Sequence, residues 1–176
     1  MRHLPATVLL ALCVSSPAMA GETPWAPSRT GKIECFGSNL AAKTCESMTV
    51  YRWLDDTNVR AETRSSSDVL FSGIVVLSSR LASIKGDTNC TVPLKNDVAA
   101  NSFELDGRPV SEADTLKFRE RLTDDGRERF DRTYCLRIGK YGREYTAQLT
   151  IDGREMPSDA NWMAWIDTSD GFTLSR

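Results

Sequence analysis

Apolar and polar residues alternate with a period of two along much of this chain, the spacing of strands with one buried face. The clearest run is 144–151, where Tyr145, Ala147, Leu149 and Ile151 fall on one side and Thr146, Gln148 and Thr150 on the other. Stretches of β-formers predict further strands at 32–36, 49–54, 59–63, 91–92, 102–105 and 134–138. Turn residues separate them: Asp55 to Asn58, Gly86-Asp87, Asp106-Gly107, Gly139 to Gly142 and Asp152-Gly153. Ser169-Asp170-Gly171 adds a hairpin signal between 162–166 and 172–174. The stretch 69–84 carries apolar residues on both parities and predicts a strand buried on both faces, with Gly73 and Ser78-Ser79 as bends.

Two segments have helical signals instead. Ser38-Asn39 precedes Leu40, Ala41, Ala42 and Met48, which predicts a helix of about three turns. Ser111 with Asp114 three residues later resembles a capping box, with Asp in the usual place of Glu or Gln, and opens a helix over 112–123. Strands outnumber helices, and no strict β-helix-β alternation is present. The pattern predicts a single α+β domain over 32–176, mainly an antiparallel sheet with about two helices.

The N-terminus reads as a removable export signal. Arg2 and His3 form a charged start, Leu4 to Val14 an apolar run, and Ala18-Met19-Ala20 a small-x-small cleavage site. Leu12 before Cys13 does not suit a lipid-attachment site, and the apolar run is shorter than the roughly 20 residues of a membrane span. Cleavage after Ala20 predicts a periplasmic or secreted protein without a transmembrane segment. Residues 21–31, rich in Pro, Ser and Thr with a lone Trp25, read as a flexible N-terminal arm.

Four cysteines remain after residue 20: Cys35, Cys45, Cys90 and Cys135. None forms a C-x-x-C motif, so an even set in an oxidising compartment predicts two structural disulfides. The preferred pairing is Cys35–Cys45 with Cys90–Cys135, the first closing a short ring and the second tying the middle of the chain to its last third.

Composition excludes several chemistries. Past residue 20 the chain has 21 basic and 24 acidic residues, a net charge of −3, and no histidine. That removes Ser-His-Asp and Cys-His nucleophile systems, His-ligated metals and imidazole acid–base work. It also predicts a fold and affinity nearly constant from about pH 6 to 8 unless a carboxylate is perturbed. The charged stretch 117–132 holds six basic and five acidic residues, a near-neutral balance that suits a solvated helix face and not a nucleic-acid partner. No Ser-x-x-Lys, Gly-x-Ser-x-Gly or phosphate-cradling glycine loop occurs, and Asp167-x-x-Asp170-Gly171 lacks calcium-loop spacing. No catalytic residue, metal ligand or cofactor is predicted.

Aromatic residues supply the candidate contacts. Trp162 and Trp165 lie three apart and so face opposite sides of a strand. Trp162 shares its parity with Ala164 and Ile166, the expected core set, which leaves Trp165 on a partner-facing surface; Tyr141 joins it from a turn tip. The resulting expectation is an exported binding or accessory domain whose partner is an envelope protein or glycan. The alternatives are a small carboxylate-dependent hydrolase of envelope glycans, with Glu104, Glu144 and Glu155 as candidate acids, and a structural envelope protein without a ligand.

Overall fold

The structure is a computed structural model that describes residues 23–67, 70, 73–142, 144–157 and 161–175. Eight strands form its body: β1 (Ile33–Phe36), β2 (Ser47–Trp53), β3 (Asn58–Ser66), β4 (Ile74–Lys85), β5 (Thr88–Thr91), β6 (Tyr134–Tyr141), β7 (Glu144–Ile151) and β8 (Asn161–Ile166). Each pairs antiparallel with the next in sequence, and β8 returns to β1 with Ile33 opposite Ile166 and Phe36 opposite Met163. The sheet therefore closes into an eight-stranded up-and-down barrel, which corrects the α+β expectation. Alternation is the same for a stave of a closed barrel as for a strand of an open sheet, so closure left no mark in the pattern. The largest ladder, β3 against β4, runs from Asn58 opposite Ser83 to Ser66 opposite Val75.

Three helices accompany the barrel: α1 (Ala26–Arg29), α2 (Lys95–Ala99) and α3 (Glu112–Asp125). The helix expected near 38–48 is absent. Asn39 and Thr44 exchange backbone hydrogen bonds of 2.9 and 3.1 Å, and Asn39 Oδ1 accepts the Ala42 N–H at 3.0 Å. With Lys43 at φ 53°, the segment folds back after one turn instead of propagating as a helix. The expected hairpin of 162–166 with 172–174 is also corrected: Thr173–Leu174 pairs in parallel with Thr44–Cys45. Gly171 turns the chain at φ 74°, but towards the first disulfide loop.

Both disulfides are present, as Cys35–Cys45 and Cys90–Cys135. The first lies outside the barrel wall, in a cluster with Ala164, Ile166 and Phe172. The second links directly opposed residues of β5 and β6. Between those two staves the chain inserts 92–133, which carries α2, a small hairpin (Ser102–Leu105 with Arg108–Pro109) and α3. Ser102–Leu105 pairs with the first residues of β4, and Phe118 and Leu122 of α3 pack against Ile74, Val76 and Phe103.

The two ends of the barrel differ. One carries the long connections 37–46, 67–73, 92–133 and 152–160; the other carries the short ones 54–57, 86–87 and 142–143 together with α1. Residues 23–31, read from sequence as a flexible arm, deliver Trp25 into the barrel, where it is 1% exposed. Trp25, Tyr51, Val59, Ile84, Ile138 and Met163 form the core at this end. Among the described residues, no helix is long and apolar enough to cross a membrane.

Candidate functional site

Inward positions alternate with outward ones on every stave, so the barrel has a continuous inner wall. Its lower half is filled. Trp25, Tyr51 and Trp165 meet edge-on with centroids 5.5, 5.8 and 6.2 Å apart, and the Trp165 indole donates to Pro24 O at 2.9 Å. Above this aromatic floor the lumen opens into a cavity of about 370 Å³ lined by residues of seven of the eight staves. A second cavity of about 430 Å³ lies at the α1 end, bordered by Pro24, Lys32, Lys140 and Tyr145.

The upper cavity is polar. Ser47, Thr49, Thr63, Ser65, Ser78 and Thr91 contribute hydroxyls to its wall. Glu34 on β1 reaches it while only 5% exposed, and Tyr51 on β2 donates to Glu34 Oε2 at 2.7 Å. Asn89 on β5 in turn donates from Nδ2 to Tyr51 Oη at 3.3 Å. Burial pushes the Glu34 carboxyl up to about 7, against the opposing pull of the Tyr51 hydrogen bond. Burial first, and then the neighbouring Glu34 charge, holds the Tyr51 phenol well above its ordinary value. Glu34 is thus the perturbed carboxylate that supplies a near-neutral titration in a chain with no histidine past residue 20.

Arg80 on β4 also lines the cavity, and its Nε is buried without a hydrogen-bond partner. No ion pair of Arg80 occurs among the described residues. Asn89 Oδ1 is likewise buried and unpartnered. Buried polar groups are nearly always paired, and the cost of leaving one unpaired is about 1–3 kcal/mol, more for a charged group. Both groups belong to residues that line one cavity.

The residues singled out from sequence lie elsewhere. Trp165 faces inward beneath the cavity, while Trp162 faces outward at 36% exposed, the reverse of the expected sides. Met163, which shares parity with Trp165, is fully buried. Tyr141 is exposed, and its ring meets Trp162, not Trp165, at 5.5 Å. The candidate acids are dispersed over the outside: Glu104 pairs with Arg64 at 2.8 Å, Glu155 with Arg137 at 3.0 Å, and Glu144 accepts from Ser38 at 3.4 Å. Among the described residues, Glu34 is the single carboxylate lining this cavity. No group of three or more His, Cys, Asp or Glu suited to a metal occurs among the described residues. Sequence reasoning missed Glu34, Arg80 and Asn89. The available signal was Arg80, a charge inside the apolar stretch 69–84 on the same parity as Val76, Ala82 and Ile84.

Compared with protein-family models, with curated proteins and with solved structures, the chain matches none.

Proposed function

We propose that this protein is an exported binding protein that holds one small molecule in the barrel lumen. The observation that carries the reading is the polar cavity over an aromatic floor, with Arg80 Nε and Asn89 Oδ1 unpartnered in its wall. Eight-stranded barrels of this size either fill with side chains or hold one small ligand, and here the filling stops halfway. The volume of about 370 Å³ sits at the low end of small-molecule pockets, about 300–1,000 Å³, and suits a single compound over a polymer. The leader-like residues 1–20 and the two disulfides support export to a periplasmic or extracellular space.

A glycan hydrolase would set two carboxylates across a cleft. With Glu34 as the only acid among the described residues of the cavity wall, binding is the better reading. The outward pair Tyr141–Trp162 favours a second role, contact with an envelope protein or glycan on the outer wall.

The test is a small-molecule screen read by thermal shift on the disulfide-intact mature chain and two variants. Ser78→Trp fills the lumen, whereas Ser79→Trp adds the same bulk one residue away on the outer wall. Compounds that stabilise the wild type and Ser79→Trp but not Ser78→Trp support the proposal. Compounds unaffected by Ser78→Trp bind outside the barrel and overturn it.

A further inference from the structure

We infer that the lumen ligand is a small hydroxylated organic acid, its carboxylate paired with Arg80 and a hydroxyl donated to Asn89; this rests on the lumen being the binding site. Arg80 presents a guanidinium on a wall where no acid of the described residues pairs with it. The forked N–H groups of an arginine match a carboxylate in a two-point contact, among the strongest hydrogen-bonded pairs available. Asn89 Oδ1 needs a donor, since its own amide N–H is directed to Tyr51. A ligand hydroxyl supplies one.

Charge and size narrow the class. Among the described residues that line this cavity, Arg80 is the only cation and Glu34 the only acid. Burial keeps that acid neutral below about pH 7, so the wall then carries a single positive charge. That balance suits a monoanion better than a phosphate dianion. The hydroxyls of Ser78, Thr91 and Thr63 suit a ligand with several oxygens, and the ring of Tyr51, which lines the cavity above Trp165, suits the apolar face of a sugar ring. Glu34 accepts a hydrogen bond from Tyr51 on β2 and shares the cavity wall with Arg80 on β4 and Tyr134 on β6, with no second acid among the described lining residues. Its ionisation above neutral pH therefore adds a negative charge to the wall of the cavity that holds the carboxylate.

The probes are glucuronate, glucose, glucosamine and inorganic phosphate, titrated calorimetrically into the mature chain. Glucuronate is expected to bind at least about tenfold tighter than each of the others, and more tightly at pH 5.5 than at pH 8.5. Arg80→Gln abolishes that preference, Arg80→Lys keeps part of it, and the outward Arg60→Gln keeps all of it. The acid assignment is overturned if the preference survives in Arg80→Gln. It is overturned equally if phosphate or glucosamine binds as tightly as glucuronate, or if glucuronate does not bind at millimolar concentration. If sugars bind the wild type without preference and Ser78→Trp excludes them, the lumen reading stands and the acid assignment falls. Sugar binding that Ser78→Trp leaves intact removes the lumen reading itself.

Discussion

Glu34 shows how one position can set the behaviour of the whole chain. Its carboxyl is held neutral to about pH 7 when folded, against an ordinary value of 4.5. Between those limits unfolding releases a proton, so rising pH favours the unfolded chain. Stability should therefore fall by about 3 kcal/mol from pH 4.5 to pH 7 on account of this group, and change no further above it. In urea titrations across that range, Glu34→Gln should gain on the wild type as pH rises; parallel curves would refute the burial argument. Tyr51→Phe removes the hydrogen bond that favours the charged form, so the Glu34 titration should move upward, as followed by carboxyl-labelled NMR. Glu34 was not legible as a site residue, and Arg80 showed only as a charge inside the apolar stretch 69–84. In a strand, a polar side chain beside an apolar neighbour reads as the solvent face, and only the closed barrel turns that face into a lumen.

At the scale of elements the sequence was a better guide, because turns and caps are local chemistry. The Ser111–Asp114 signal marks a real helix start: Ser111 Oγ accepts the Asp114 N–H at 3.1 Å and donates to its carboxylate at 2.7 Å. Ser111→Ala should cost about 1 kcal/mol, seen as a lowered melting temperature with the barrel intact. The 55–58 turn was equally readable, since Asp55 Oδ1 accepts the N–H groups of Thr57 and Asn58, both at 2.8 Å. The segment 38–48 misled because an Asn at a helix start and an Asn closing a tight loop look alike in sequence. The two disulfides differ in the ring they close, with sequence separations of 10 and 45. By loop entropy, replacing Cys90 and Cys135 with alanine should cost about 4 kcal/mol, and the Cys35 and Cys45 pair about 3 kcal/mol. Denaturant unfolding of the two double variants checks the order.

The whole molecule depends on contacts between distant parts of the chain, which no local pattern records. Closure is made by four residues of β1 against β8, about 130 positions away, and the closed end is sealed by Trp25. Trp25→Ala should cost about 3–5 kcal/mol. Trp25→Phe keeps an edge-on ring and discards an indole N–H that is buried without a partner, so it should lose less than half as much. A loss below about 1 kcal/mol for Trp25→Ala in denaturant unfolding would mean the plug is dispensable.

The indole signals of the four tryptophans, in a ¹H–¹⁵N correlation spectrum during titration with glucuronate, test the central claim most directly. Trp25 and Trp165 lie in the lumen floor, whereas Trp162 stands on the outer wall beside Tyr141. Binding in the lumen should shift the Trp25 and Trp165 signals, with the backbone amides of Glu34, Arg80 and Asn89, and leave Trp162 in place. Shifts confined to Trp162 and Tyr141 would put the site on the outside of the barrel and contradict the account.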